Sequence, residues 1–205
     1  MSVSVDGYFE GPDHDLGWNL VDDEVHTHFN RELARMGAFL SGRVTHELMA
    51  SVWPTADQDP AADAPMREFA GIWRAMPKVV FSRTLDHADW NTTVVREVTP
   101  ESIAALTAGP GGDLCLSGAN LAESFLAQDL VDEFRLYVHP VVLGRGTLFF
   151  RPTEHPTPLA LKDTHRFTNG VTLLHYVRSG PSPVSYTHRV TGRCGGHVGA
   201  GPLRR

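Results

Sequence analysis

The stretch Asp113-Leu114-Cys115-Leu116-Ser117-Gly118-Ala119-Asn120-Leu121-Ala122 joins a short apolar run to small residues and then to a helical spacing. Residues 113–116 read as a buried strand, and a helix is expected over residues 121–127. A strand that runs through Ser117-Gly118-Ala119-Asn120 straight into a helix is the βα unit of a parallel sheet. The same form recurs at residues 38–41, where a buried strand turns through Gly42-Arg43-Val44-Thr45 into a short helix. Residues 78–82 are a third apolar strand, followed by Arg83-Thr84.

Working outward, Asp22-Asp23 marks a helix start, and Val25, Phe29, Leu33 and Met36 fall on one face before Gly37. Pro65 suits a first helical position, Met66, Phe69, Trp73 and Met76 line the face behind it, and Pro77 blocks continuation. Thr99-Pro100-Glu101 opens another helix, through Leu106. Residues 2–5 alternate like a strand and turn at Asp6-Gly7, and residues 92–95 form a further strand. Phe134, Leu136 and Val138 alternate with Arg135, Tyr137 and His139, and residues 171–177 form the last strand. Strands interleaved with helices predict an α/β fold with antiparallel strands at its end. From residue 179, Gly, Pro and Ser punctuate and apolar periodicity vanishes. The expected organisation is one domain over 1–178 and a flexible tail over 179–205.

Composition narrows the function classes. The chain has 205 residues, 41% of them hydrophobic, enough for one sizeable core. Its 18 basic and 24 acidic residues give a formal charge of −6, which disfavours nonspecific nucleic-acid binding. Two cysteines, Cys115 and Cys194, make no disulfide framework. There is no signal peptide in residues 1–10 and no apolar run near 18 residues, so the chain reads as cytoplasmic, with no membrane partner.

The strand-to-helix turns carry the chemistry. A helix N-terminus offers free N–H groups and partial positive charge, so it accepts phosphate. Ser117-Gly118-Ala119-Asn120 lets a pyrophosphate approach the backbone closely. Gly42-Arg43-Val44-Thr45 adds a guanidinium and a hydroxyl, and Ser82-Arg83-Thr84 adds a second guanidinium. One such turn is only a turn. Three at strand C-terminal ends point to a ligand, because α/β sheets bind there. No G-x-G-x-x-G and no G-x-x-x-x-G-K-[ST] is present, and no G-x-S-x-G elbow supports a serine hydrolase.

Metal binding finds no support. His26 and His28 sit two apart on a helix and point to nearly opposite sides. Cys194 and His197 lack two further ligands. His139 alternates outward from its strand and is expected at a surface or interface. Asp6 is a turn cap or a carboxylate facing a cleft, and in the second case it is the candidate proton donor. Glu133 reads as structural. Trp18, beside Gly17, either forms a flat wall for a substrate ring or closes the core.

These pieces occur in a recognisable order. Ser4-Val5-Asp6-Gly7-Tyr8, Trp18, Phe39-Leu40-Ser41-Gly42-Arg43-Val44-Thr45 and Lys78-Val79-Val80-Phe81-Ser82-Arg83-Thr84-Leu85 resemble the dihydrofolate reductase-like family. Within it, the nearest branch is the reductase domain of bacterial riboflavin biosynthesis, the RibD C-terminal domain, with its stand-alone relatives. Leu116-Ser117-Gly118-Ala119-Asn120-Leu121-Ala122, Leu130-Val131-Asp132-Glu133-Phe134-Arg135-Leu136 and Pro140-Val141-Val142-Leu143-Gly144-Arg145-Gly146 extend the similarity over about residues 2–178.

The resemblance implies a three-layer fold around a mixed, mostly parallel sheet, NADPH as cofactor, a small-molecule substrate and a homodimer. It implies that Gly42, Arg43 and Thr45 lie along the cofactor phosphates and that Ser82 and Arg83 hold the adenosine 2′-phosphate. Ser117, Gly118, Ala119, Asn120 and Leu121 would meet the pyrophosphate. The implied reaction is reduction of 5-amino-6-(5-phosphoribosylamino)uracil. Reduction of another pterin-like or heterocyclic substrate stays open, as does non-catalytic binding of NADPH or a small molecule. Relatives carry Gly-Gly where this chain has Ser117-Gly118, and their Asp-Asp-Pro…Leu-x-x-Arg substrate segment is replaced here by residues 53–63. No zinc deaminase signature is present.

Overall fold

A computed structural model describes residues 1–108, 111–152 and 155–179. The expected tail, with Cys194 and His197, lies outside these residues from 180 onward. So does Gly109-Pro110, the start of an expected turn.

Three helices start where Asp22-Asp23, Pro65 and Thr99-Pro100 predict. Asp22 accepts from the Val25 N–H at 3.0 Å and opens α1, Asp23–Leu33. Asp63 accepts from the Met66 N–H at 2.8 Å and opens α3, Ala64–Ala75, with Pro65 in its first turn. Thr99 and Ser102 cap each other reciprocally and open α4, Pro100–Thr107. The remaining helices, α2 at Arg43–Val52 and α5 at Ala119–Leu126, start on glycines with no side-chain cap.

The strands are β1 Ser2–Ser4, β2 Tyr8–Glu10, β3 Ala38–Gly42, β4 Lys78–Phe81, β5 Thr92–Val95, β6 Leu114–Ser117, β7 Glu133–His139, β8 Thr147–Leu148, β9 Leu159–Arg166 and β10 Thr172–Arg178. Backbone hydrogen bonds group them as a fully parallel sheet β5-β4-β3-β6, a mixed sheet β1-β7-β10-β9 and a short ribbon β2-β8. In the mixed sheet β1 runs parallel to β7, while β10 is antiparallel to both β7 and β9. The α/β class and the antiparallel end are as expected. The strands, however, hydrogen-bond as three sheets and not as one.

The parallel sheet is covered on both faces. Leu40, Val79 and Phe81 pack with Ile103 of α4 and Phe125 of α5. On the other face Phe39 packs with Phe69 and Trp73 of α3 and with Met76. Alternate residues of one strand thus enter opposite cores, which is why its strands read as continuous apolar runs. Buried Asn30 ties α1 to α3 by donating to the Pro65 carbonyl and the Glu68 carboxylate, at 2.8 and 2.9 Å. Where the chain leaves α1 for β3 it passes against the segment entering β6. A Cβ on Gly37 would lie 2.6 Å from the Gly112 carbonyl oxygen, so a larger residue has no room there.

At the end of β1, Asp6 clamps a distant loop. Its carboxylate accepts from the Leu143 N–H at 3.1 Å, the Gly144 N–H at 2.7 Å and the Ser4 hydroxyl at 2.7 Å. The Ser4 bond has the largest influence and, with the weaker Gly144 and Leu143 backbone bonds, lowers its pKa from 3.8 to about 2, against desolvation, the second-largest influence, which raises it. A depressed carboxyl pKa stabilises the fold above the ordinary value and loses that contribution as pH falls through the folded value. Asp6→Asn is therefore expected to lower Tm at pH 7, with the deficit against wild type shrinking between pH 3.8 and 2. Thermal melts across that window check it. A deficit that stays constant down to pH 2 would contradict the clamp.

Candidate functional site: a cradle at three strand ends

Because β3 pairs in parallel with β4 on one side and β6 on the other, all three strands finish at the same sheet edge. Gly42 lies opposite Phe81, and Ser41 opposite Ser117. The turns Gly42–Thr45, Ser82–Thr84 and Ser117–Asn120 are thereby side by side.

Two of these turns present uncapped helix N-termini. Gly42 is extended, with φ −79° and ψ 166°, and a Cβ built on it meets nothing within 4 Å. Gly118 has φ 88° and ψ 120°, a region open to glycine and strained for other residues. The first intrahelical bond of α5 runs from Ala122 N–H to the Gly118 carbonyl. The N–H groups of Ala119, Asn120 and Leu121 precede it and have no intrahelical acceptor. A Cβ on Gly118 would lie 2.7 Å from Thr45 Oγ1. The two turns therefore touch, and a side chain at residue 118 would run into the Thr45 hydroxyl.

The third turn is shaped by Ser82, whose buried hydroxyl accepts from the Thr84 and Leu85 N–H groups at 3.3 and 3.0 Å. Arg96 braces it, donating to the Ser82 and Leu85 carbonyls and pairing with Asp86 at 2.9 Å. The fold leaves Arg83 exposed and, among the described residues, without an ion pair. Arg43 differs: Glu47 holds its guanidinium at 3.0 Å along α2. Asn120 accepts from Arg151 at 3.3 Å, and the Leu121 side chain packs into the α4–α5 core, so Leu121 offers only its N–H. The cradle is thus mainly backbone, with Thr45 and Arg83 as its available side chains.

The remaining expectations lie at the ends of β1 and β7. With a pKa of about 2, Asp6 carries no proton near neutral pH. The proton-donor role expected of it gives way to the turn-capping one. Trp18 is half-buried, donates from Nε1 to the Asp15 carbonyl at 3.1 Å and stands edge-on to His139 with ring centres 5.4 Å apart. His139 itself is not at a surface. It is fully buried, because β7 lies between β1 and β10 and is covered on both faces. Its Nδ1 accepts from the Leu20 N–H at 3.0 Å, pinning the Trp18 loop, and burial lowers its pKa. Strand alternation cannot reveal such a residue on a strand with two buried faces. Among the described residues no group of three His, Cys, Asp or Glu could hold a metal, and no helix is long and apolar enough to cross a membrane.

Comparisons with known proteins agree with this architecture. The chain is 31% identical to the uncharacterized protein YyaP of Bacillus subtilis over 181 residues, 88% of this chain and 93% of that protein. It is 28% identical to the uncharacterized protein YwjB of the same organism, over 87% of this chain and 95% of that one. Among solved structures it resembles a candidate riboflavin biosynthesis protein from Shewanella sp. PV-4, with TM-score 0.69 and 22% identity over 88% of this chain and 97% of that one. It also resembles the Thermotoga maritima diaminohydroxyphosphoribosylaminopyrimidine deaminase/5-amino-6-(5-phosphoribosylamino)uracil reductase, with TM-score 0.60 and 14% identity over 87% of this chain and 55% of that one. Residues 1–173 match the RibD C-terminal domain, and the chain belongs to that reductase-like family.

Proposed function

We propose that the protein is an NADPH-dependent reductase of a small phosphorylated heterocycle of the 5-amino-6-(5-phosphoribosylamino)uracil kind. The observation that carries this reading is the contact between Gly118 and Thr45, which brings two uncapped helix N-termini together beside exposed Arg83. The family and the reductase named among the structural neighbours support the reaction class.

The residues fit the cofactor. The N–H groups of Ala119, Asn120 and Leu121 would bind the pyrophosphate, with the open face of Gly42 and the Thr45 hydroxyl beside it. Arg83 would pair with the adenosine 2′-phosphate, and Ser82 would position it by shaping the turn. Arg43 would join the phosphates only by giving up Glu47. When bound, NADPH supplies the hydride. The chain would bind and orient it, and Trp18, on the loop that the His139–Leu20 bond holds, would serve as a wall for the substrate ring. Incubating the protein with NADPH and the uracil substrate and following NADPH oxidation tests the whole reading. NADPH binding without turnover would point instead to a binding protein.

The 2′-phosphate assignment has its own test. Losing one charge-assisted contact costs about 1.5–3 kcal/mol. Arg83→Ala should weaken NADPH binding by that amount and leave NADH binding nearly unchanged, as fluorescence titrations would show. Equal weakening of both would remove the assignment. For the pyrophosphate, Gly118→Val places carbon against Thr45 Oγ1 and forces a backbone conformation that a branched residue resists. It should lower NADPH affinity more than tenfold, beyond about 1.4 kcal/mol. Wild-type affinity in a protein shown by circular dichroism to be folded would place the cofactor elsewhere.

A further inference from the structure

On the α2–α3 side of the parallel sheet, behind the cradle, lies a cavity of about 90 Å³. Thr45 and Ser117 of the cradle line it, with Phe39, Phe69 and Trp73 as apolar walls. Lys78, His46 and Ser41 also face it, and each is more than nine-tenths buried, at 3, 6 and 7% exposure. The Lys78 ammonium donates to the Met76 and Trp90 carbonyls at 2.8 and 2.9 Å and lies 4.1 Å from the centre of the Trp73 ring. These dipoles fix the charge in place without cancelling it. Among the described residues no carboxylate pairs with Lys78, and no acidic residue lines the cavity.

An unpaired buried charge is costly, and buried polar groups ordinarily find partners. Yet neither the Ser41 hydroxyl nor the His46 ring makes a hydrogen bond among the described residues. The cavity thus combines a fixed cation with two unpartnered donors. Its volume matches roughly three waters at ~30 Å³ each, or one ion of a few heavy atoms. We propose that this cavity is a binding site for a small monovalent anion, held by the charge of Lys78 and by hydrogen bonds from Ser41 and His46. The site borders the cofactor cradle through Thr45 and Ser117, but it rests on Lys78, Ser41 and His46, which the cofactor reading does not use.

The groups around it set its pH dependence. Lys78 comes from β4, His46 from α2 and Cys115 from β6, while α1 and α3 contribute Leu33, Phe69 and Trp73, which do not titrate. Burial lowers the Lys78 pKa to about 8, lowers that of His46 and raises that of Cys115. An anion favours the charged amine, so affinity should fall as pH rises through about 8.

Formate is the probe, titrated as the ¹³C-labelled ion and followed by its NMR linewidth at pH 7, with ionic strength held by gluconate, which is too large to enter. Chloride in a parallel series distinguishes an oxyanion site from a halide site. Saturable binding of either ion is expected, weakened at least tenfold in Lys78→Met and several-fold in Ser41→Ala. Should Lys78→Met fail to fold, the wild type at pH 9.5 replaces it, with affinity again at least tenfold lower than at pH 7. Absence of saturation with both ions, or an affinity indifferent to Lys78 and to pH, would overturn the site.

Discussion

The parallel pairing of β3 with β4 and β6 is the constraint on which the rest depends. Parallel pairing sends neighbouring strands out of the sheet at the same edge, and each of these strands then turns within a few residues. The two turns that start helices do so on glycine, with no side chain competing for the helix N–H groups. Had the helices after β3 and β6 begun on Ser, Thr or Asp, as the caps of α1, α3 and α4 do, some of those donors would already be satisfied. The same molecule thus caps the helices that only pack and leaves open the ones that face the cradle.

Most of this edge was legible in the sequence because its signals are local. Asp22, Pro65 and Thr99 act within one turn of chain, and small residues after an apolar run mark a strand end wherever they occur. Long-range relations were not legible. Nothing near Gly118 in sequence says that its missing side chain makes room for Thr45, 73 positions earlier. His139 looked exposed because alternation assumes one wet face, which β7 lacks. β9 was indistinct for the opposite reason: from Ala160 to Arg166 its residues are exposed, so no apolar periodicity marks this edge strand.

Lys78 and His46 show a second limit. At Lys78-Val79-Val80-Phe81 the sequence marks an apolar strand and does not say where the lysine's charge goes. The fold turns its ammonium back onto the Met76 and Trp90 carbonyls and the Trp73 face, and the strand stays buried from its first residue. Cradle and cavity share Thr45 and Ser117. Asp6 and Glu47 each meet donors of their own, and neither lines the cavity.

The central claim is that a phosphorylated cofactor sits across these three turns. Backbone amide shifts of the ¹⁵N-labelled protein during an NADPH titration test it most directly. The account predicts that the largest saturable shifts fall on residues 42–45, 82–84 and 118–121, as one two-state transition. Shifts confined to other edges of the sheets, with these amides unmoved at saturation, would contradict it.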